Sequence, residues 1–325
     1  MKDKILEILK LSNEYTSGEE LSKRMGVTRA AVWKVIAKLK EEGYVIESVT
    51  NRGYRLVSSP DVLTGPEISP YLTTEKLGRN VFFYSITDST NRRARIESEN
   101  GAPDGSLFIA EEQTAGRGRL GKMWVAPPKT GVWMTLLLRP SVQPEDITQI
   151  TLLAGLAVCR AIENVAGLPA QIKWPNDVVI RGKKVCGILT EMSAEAERIE
   201  CLICGMGINV NTESFPEDLS NAATSLFLES GIKQPRARLA AEVMNCFEKY
   251  YVPFLTDGVT DSFLEEYKSC CVTLGRDIRA IQRGEVLIGT AEDITERGEL
   301  LIRSKGEMLT LSSGEVSVRG LLGYV

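Results

Sequence analysis

Residues 114–124 read T-A-G-R-G-R-L-G-K-M-W, and Gly116, Gly118 and Gly121 fit G-x-G-x-x-G letter for letter. A dinucleotide turn here would make the chain a doubly wound α/β protein. That fingerprint needs a strand before it, a helix opening at its third glycine, and an acid about 20 residues on. The run S-L-F-I-A-E-E at 106–112 supplies the strand. No helix follows, because Lys122-Met123-Trp124 runs into Pro127-Pro128 and then Gly131. The acid is missing too, since the required distance lands in M-T-L-L-L-R-P. The match is false. What the loop does offer is Arg117 and Arg119 on permissive backbone. Arginine forks bind carboxylate and phosphate bidentately, and glycines let a loop close on a ligand.

Outward from this loop, 325 residues suffice for two or three domains with ample core. The apolar share of 43% and charged share of 25% are those of a soluble globular protein. A net charge of -4 points to no partner, but its distribution does. Residues 1–57 hold 11 Lys/Arg against 8 Asp/Glu, and the remainder 28 against 35. A basic head on an acidic body predicts a polyanion-binding N-terminus.

Histidine is absent altogether. That excludes Ser-His-Asp and Cys-His catalysis, histidine bases and histidine metal sites. The cysteines, seven and therefore odd in number, mostly sit in apolar runs and read as buried free thiols. Cys201 and Cys204 form C-x-x-C, but without a second ligand pair or a helix-opening turn. No signal peptide opens the chain, and no stretch approaches the about 18 apolar residues of a span. The expected compartment is the cytoplasm, with no membrane contact.

The basic head has a readable architecture. Residues 2–11 pattern as an amphipathic helix. Ser17, with Glu20 three residues on, signals a second helix. Gly26 makes a turn and Thr28 caps a third helix, whose apolar Val32, Val35, Ile36 and Leu39 share one face. Next comes an alternating hairpin with Asn51-Arg52-Gly53 at its tip. This is a winged helix-turn-helix, and Thr28, Arg29, Lys34, Lys38 and Arg52 are its candidate DNA contacts.

Ser58-Ser59-Pro60 reads as a linker. Beyond it, strands alternate with helices over 145–166, 235–256 and 259–269. A hairpin turning at Gly182-Lys183 makes the sheet at least partly antiparallel. From Val272 short strands are punctuated by turns at Gly275, 283–284, 296–298, 305–306 and 313–314, the pattern of a small β-barrel.

T-A-G-R-G-R-L-G, K-W-P-N-D at 173–177, G-K-K-V-C-G-I-L-T-E at 182–191 and G-M-G-I-N at 205–209 together resemble the biotin–protein ligase family. With the winged helix in front, nearly the whole chain is similar to its bifunctional bacterial form. The resemblance implies an α+β protein in three parts. These are a winged helix-turn-helix over 1–60, a central mixed-sheet α/β ligase domain over 61–270 and a small SH3-like β-barrel over 271–325. It also implies a reaction: biotin and Mg-ATP give biotinyl-5′-adenylate, and biotin then passes to a lysine of biotin carboxyl carrier protein. No histidine is needed.

Carried over residue by residue, the resemblance places Ser89, Thr90, Asn91 and Gln113 around the biotin head. Arg117, Gly118 and Arg119 form the loop that closes over biotin, with Arg119 as main retainer of the adenylate. Lys184 is the catalytic lysine, and it also touches biotin. Lys173, Asn176, Asn209, Trp124 and Arg319 are implied nucleotide contacts, with the loop at 211–219 as a cover. Asp177 is expected to orient Lys184 or the incoming lysine, Lys183 to be solvated, and Ser89 to double as a helix cap. Lys122 departs from the family's usual arginine, which loses the fork. Val35 stands where relatives often carry histidine, so operator preference is expected to differ. No carboxylate pair reads as a resident metal site, so Mg²⁺ is expected to arrive on ATP. Operator DNA and a ligand-promoted homodimer are the implied regulatory partners.

Two other readings stay open on the residues: a biotin-sensing repressor without catalysis, and a monofunctional ligase whose head no longer binds DNA. A lipoate ligase is a poorer match, since its motif usually carries histidine.

Overall fold

The computed structural model describes residues 1–12, 14–141, 143, 147–195, 198–282, 285–313 and 316–320. The head begins with α1 (Lys2–Leu11), α2 (Gly18–Met25) and α3 (Arg29–Glu41). Ser17 Oγ accepts from the Glu20 amide at 3.0 Å, and Thr28 Oγ1 from the Ala31 amide at 3.2 Å. Each cap satisfies a donor that the first helical turn leaves orphaned. Glu20 does not complete a capping box; its carboxylate pairs with Arg24 at 2.7 Å. The wing is β1 (Val45–Val49) against β2 (Gly53–Ser58), turning through Asn51 and Gly53 at φ 64° and 108°. Ile5, Leu6, Leu9, Leu21, Val32, Ile36 and Leu39 close a core of the head's own.

A short α4 (Gly65–Ile68) leads into the central sheet. Its strands are β3 (Val81–Tyr84), β4 (Leu107–Ala110), β5 (Gly131–Leu138), β6 (Gln171–Lys173), β7 (Asp177–Ile180), β8 (Lys183–Glu195) and β9 (Arg198–Asn209), in the order β3-β4-β5-β9-β8-β7-β6. Only β3 and β4 run parallel, so the sheet is mixed as expected. α5 (Thr90–Glu99) packs on β4, β5 and β9. α6 (Ile147–Ala166) and α8 (Arg236–Asp257) pack together, α6 on β8 and α8 on β5, with α9 (Asp261–Cys270) beside α6, and the short α7 (Leu226–Ser230) puts Leu226 into the same core. Every residue of β5 is buried, which explains its apolar run, interrupted only by Thr135.

Two expectations need correction. The β7–β8 turn is made by Arg181 and Gly182, at φ 48° and 79°, while Lys183 already pairs with Ile180. A two-residue turn with both central φ positive matches strand twist, so the hairpin places it one residue earlier than read. Within α6, Thr148–Ala166 is after all long and apolar enough to cross a membrane by composition, yet it is the central core helix, with Ile150, Leu153, Leu156 and Ile162 buried. The C-terminal unit is the small β domain expected, with β10 (Asp277–Gln282), β11 (Glu285–Ile294), β12 (Leu300–Ser304), β13 (Glu307–Leu311) and β14 (Val316–Gly320). They form an antiparallel sheet in the order β13-β12-β11-β10-β14. Its apolar side, with Ile278, Ala280, Ile302 and Val318, joins the central core in one continuous cluster. The turns expected at 283–284 and at residue 314, and the start of the helix at 145–146, lie outside the described residues.

All seven cysteines are free thiols. Cys201 and Cys204 are three positions apart on β9, so they face opposite sides of the sheet and enter different apolar clusters. Their C-x-x-C spacing brings no two sulfurs together.

Head and body touch through charge. Lys10 on α1 meets Glu67 on α4 at 2.5 Å, with side chains only 14% and 7% exposed. Past the linker, Arg236 is fully buried. Its Nε bonds Asp61 Oδ2 at 2.7 Å, and its Nη1 bonds Glu111 Oε2 at 2.7 Å and the Gly131 carbonyl at 3.2 Å.

Candidate active site

Residues 116–124 form a self-closed hairpin. The Trp124 amide donates to the Gly116 carbonyl at 2.9 Å and the Gly118 amide to that of Lys122 at 2.7 Å. At its tip, Arg119–Gly121 make one tight turn with Leu120 at φ 56°. This single 3-10 turn opens no α-helix, so the G-x-G-x-x-G match is false.

Under this hairpin lies a floor without side chains. Gly187 on β8 stands across from Gly207 on β9, and Leu189 across from Gly205. A Cβ on Gly207 would come within 2.6 Å of Trp124 Nε1, and one on Gly205 within 2.2 Å of Asn91 Oδ1. The glycines of V-C-G-I-L and G-M-G-I-N thus make room for Trp124 and Asn91. Trp124 also packs edge-on against Trp133, with ring centroids 6.3 Å apart.

Two joined cavities occupy this region. The smaller, about 50 Å³, is lined by Ser89, Thr90, Asn91, Gln113, Arg117, Gly118, Arg119 and Lys184, together with the glycine floor. Gln113 Oε1 accepts from the Thr90 amide at 2.8 Å and from its hydroxyl at 3.0 Å. Ser89 occupies the N-cap position of α5 but its side chain makes no capping bond; Gln113 does that work instead. Asn91 is gripped from both ends. Glu191 Oε2 accepts from Asn91 Nδ2 at 2.8 Å, and buried Thr135 Oγ1 lies 2.7 Å from Asn91 Oδ1. These bonds fix which way the amide points. Neither Thr135 nor Glu191 was singled out in the sequence, although Glu191 belongs to the quoted G-I-L-T-E run.

The larger cavity, about 470 Å³, is lined by Trp124, Lys173, Asn176, Asn209 and Arg319, and by Thr212, Ser214, Phe215, Pro216 and Leu219 of the loop after β9. Among the described residues, five cations line it, Arg119, Lys122, Lys173, Lys184 and Arg319, against one carboxylate, Asp177. Such a lining suits a polyanion. Lys173 is 5% exposed, and burial pushes its pKa down to about 8. Trp174 is buried with its Nε1 on the Gly298 carbonyl at 3.0 Å, a structural role.

The two cavities share Gly118, Arg119, Trp124, Asn176 and Lys184. Lys184 Nζ stands 2.6 Å from Asp177 Oδ1 and 5.2 Å from the Trp124 ring centroid. The Lys184 amide donates to the Ala222 carbonyl and its carbonyl accepts from the Thr224 amide, both at 2.8 Å. The covering loop is therefore stitched to the backbone of this lysine. Lys183 is half-buried and donates to the Ser220 carbonyl at 3.1 Å, so it is not simply solvated. Arg119 donates to Asn176 Oδ1 at 3.0 Å and to the Ser313 carbonyl, and burial lowers its pKa. Among the described residues, no group of three or more His, Cys, Asp or Glu is placed to hold a metal ion.

On the head, Thr28, Arg29, Lys34 and Lys38 are exposed along α3. Arg52 at the wing tip is exposed too, its guanidinium 4.4 Å from the centroid of Tyr15. Val35 is 8% exposed and packs in the head core, so its side chain does not face outward with those of Arg29 and Lys34. The helix phase that places Val32, Ile36 and Leu39 inside carries Val35 with them. Trp33, 62% exposed between Arg29 and Lys34, is the outward residue overlooked.

The sequence pattern of the Biotin/lipoate A/B protein ligase family matches residues 82–209. An HTH domain matches 2–55, and the Biotin protein ligase C terminal domain matches 273–319. The chain is 40% identical over 319 residues to the bifunctional ligase/repressor BirA of Bacillus subtilis, covering 98% of both chains. It is 26% identical over 323 residues to the protein of the same name from Escherichia coli, covering 98% of this chain and 99% of the other. Among solved structures, the biotin protein ligase of Aquifex aeolicus in complex with biotin and ATP superposes with a TM-score of 0.67 at 30% identity, covering 74% of this chain and 99% of its own. The chain belongs to the biotin protein ligase family, among its bifunctional ligase/repressors.

Proposed function

We propose that the chain activates biotin with Mg-ATP and passes it to a lysine of biotin carboxyl carrier protein. The observation that carries this reading is the meeting of the small polar pocket and the cationic cavity at Lys184 and Arg119. Biotin's head lies among Ser89, Thr90, Asn91 and Gln113, and its carboxylate reaches the junction. ATP enters the larger cavity between Trp124 and the 211–219 loop, with Asn176 and Asn209 on the base and Lys173 and Arg319 toward the phosphates. A carboxylate oxygen attacks the α-phosphorus and pyrophosphate leaves. Lys184, oriented by Asp177, neutralises the charge that builds there. Arg117, Gly118 and Arg119 hold the adenylate away from water. The lysine amine of the carrier then attacks the acyl carbon and AMP departs. Mg²⁺ comes and goes with the nucleotide. Biotin-dependent pyrophosphate release tests the reading; release that ignores biotin overturns it.

The head binds operator DNA through Arg29, Lys34, Lys38 and Arg52, with Thr28 at the helix start, and represses biotin synthesis with biotinyl-AMP as corepressor. Two copies on a two-fold operator require a dimer promoted by that ligand. The parts act as units over 1–60, 61–270 and 271–325, in the cytoplasm. Operator affinity that is unchanged by biotinyl-AMP overturns this half and leaves a monofunctional ligase.

A further inference from the structure

Thr135 is a polar residue in the middle of an otherwise apolar strand, and it is fully buried. It stands across from Gly205 on β9, whose missing side chain lets Asn91 lie beside it. Its hydroxyl lies 2.7 Å from Asn91 Oδ1 and 2.8 Å from Thr90 Oγ1, and Thr90 Oγ1 lies 3.0 Å from Gln113 Oε1. Thr90, Asn91 and Gln113 line the smaller cavity, and Thr135 sits behind them. We propose that Thr135 makes this pocket selective for a ligand that donates an N–H, because the chain Asn91–Thr135–Thr90–Gln113 is one hydrogen short and a cyclic urea supplies it. The proposal rests on the reading of this pocket as the site of the biotin head.

The shortfall follows from which groups can donate. Asn91 Nδ2 faces the Glu191 carboxylate at 2.8 Å and the Leu189 carbonyl at 3.4 Å, and both of these only accept. Asn91 Oδ1 is therefore the atom turned to Thr135. At the other end, the Thr90 amide donates at 2.8 Å to Gln113, so the atom it meets is the Gln113 oxygen. Both ends of the chain accept and neither donates. Three oxygen–oxygen contacts lie between them, and only the hydroxyls of Thr135 and Thr90 bring hydrogens. One contact is left without a hydrogen. Two oxygens in that state repel, and a buried acceptor without its donor is costly.

The missing hydrogen falls where a ligand can reach it. Asn91 Oδ1 takes the Thr135 hydrogen at the shortest contact, and Thr135 takes that of Thr90. The pair left over is Thr90 and Gln113, the longest contact and the one between two lining residues. Each then offers a lone pair to the pocket, and a ureido N–H meets both. A ring that presents sulfur, oxygen or methylene at that place leaves the pair unfilled, and a site built to bind an N–H rejects such an analogue strongly. Thr135 acts through Thr90 and does not touch the ligand, so it is a positioning residue. Removing its hydroxyl frees the Thr90 hydrogen for Gln113, and the pair no longer needs a donor from outside.

The test pairs the Thr135 hydroxyl with the ligand's N–H in the full chain. The probes are biotin and its two cyclic carbamates, in each of which oxygen replaces one ring N–H. Dissociation constants are read by titration calorimetry for wild type, Thr135→Val and Thr135→Ser; valine keeps the shape and serine keeps the hydroxyl. Wild type should bind biotin about a hundredfold more tightly than one of the carbamates, the scale of a buried acceptor left unpaired. In Thr135→Val that gap should shrink about tenfold or more, and in Thr135→Ser it should return to within about threefold of wild type. Should the valine form not fold, Thr135→Cys, whose S–H is a weak donor, reads the same gap. Simple damage to the pocket weakens biotin and carbamate alike, so an unchanged gap in Thr135→Val overturns the proposal. A serine form that behaves like valine, or a wild type that binds both carbamates as tightly as biotin, does the same. A wild type that binds no biotin and shows no biotin-dependent pyrophosphate release overturns the ligase reading instead.

Discussion

The DNA-binding head and the ligase cavities are built in opposite ways. The head is short-range: three helices, two of them capped by side chains, and a hairpin within 58 residues, closing a core of their own. The cavities are long-range, drawing residues 89–91, 113–124, 173–187, 205–223 and 319 to one place. A local unit can be lost without the rest. A site assembled from distant segments fails through any one of them.

That contrast can be broken in several ways. The largest effect is expected from Lys184→Ala, which should lower biotin-dependent pyrophosphate release about a thousandfold, the scale of losing a charge-stabilising group in a transition state. Ligand-free DNA affinity should not move. Leu21→Ala empties the head core and should cost about 2–5 kcal/mol there. Operator binding should disappear while pyrophosphate release continues; joint loss of both would show that head and body do not separate. Gly205→Ala forces a methyl toward Asn91 Oδ1. Overpacking of about 1–3 kcal/mol translates to a KM for biotin raised about ten- to hundredfold, read by titrating biotin in the release assay.

A smaller effect comes from Lys173. Its pKa is lowered to about 8, so phosphate meets a charged lysine below that pH and an increasingly neutral one above it. Nucleotide affinity should fall as pH rises through 8, and Lys173→Arg should flatten the profile. The sign for folding is opposite. Holding this lysine charged costs stability below about 8, and the cost is relieved as pH climbs toward the ordinary lysine range. Smallest is Thr28→Ala, which removes the α3 cap and should cost about 1 kcal/mol, seen in thermal melting of the head.

The same contrast explains what could be read from the sequence. Helix periodicity and caps act over four residues, so α1, α2, α3 and the wing were legible, and the inward face of Val35 was written in the same phase. The site residues were legible as a group only through several long motifs standing in order along the chain. What escaped depends on partners far along the chain. Nothing near Gly187, Gly205 or Gly207 announces that Trp124 and Asn91 will lie above them. Nothing near Asn91 announces Thr135 and Glu191. The hairpin slip at Arg181 has a local cause: a non-glycine at positive φ is not written in residue type.

Buried Arg236 sets where the chain can be cut. An engineer wanting a ligase without its DNA-binding head would be drawn to trim just before the first element of the body, α4 at Gly65. That cut would take away Asp61, whose carboxylate and carbonyl hold the Arg236 guanidinium, and Leu63, whose amide donates to Glu111 at 3.0 Å. Stripping a partner from a buried charge costs about 3–5 kcal/mol. The usable boundary lies before Asp61, and the first residues after the linker belong to the enzyme.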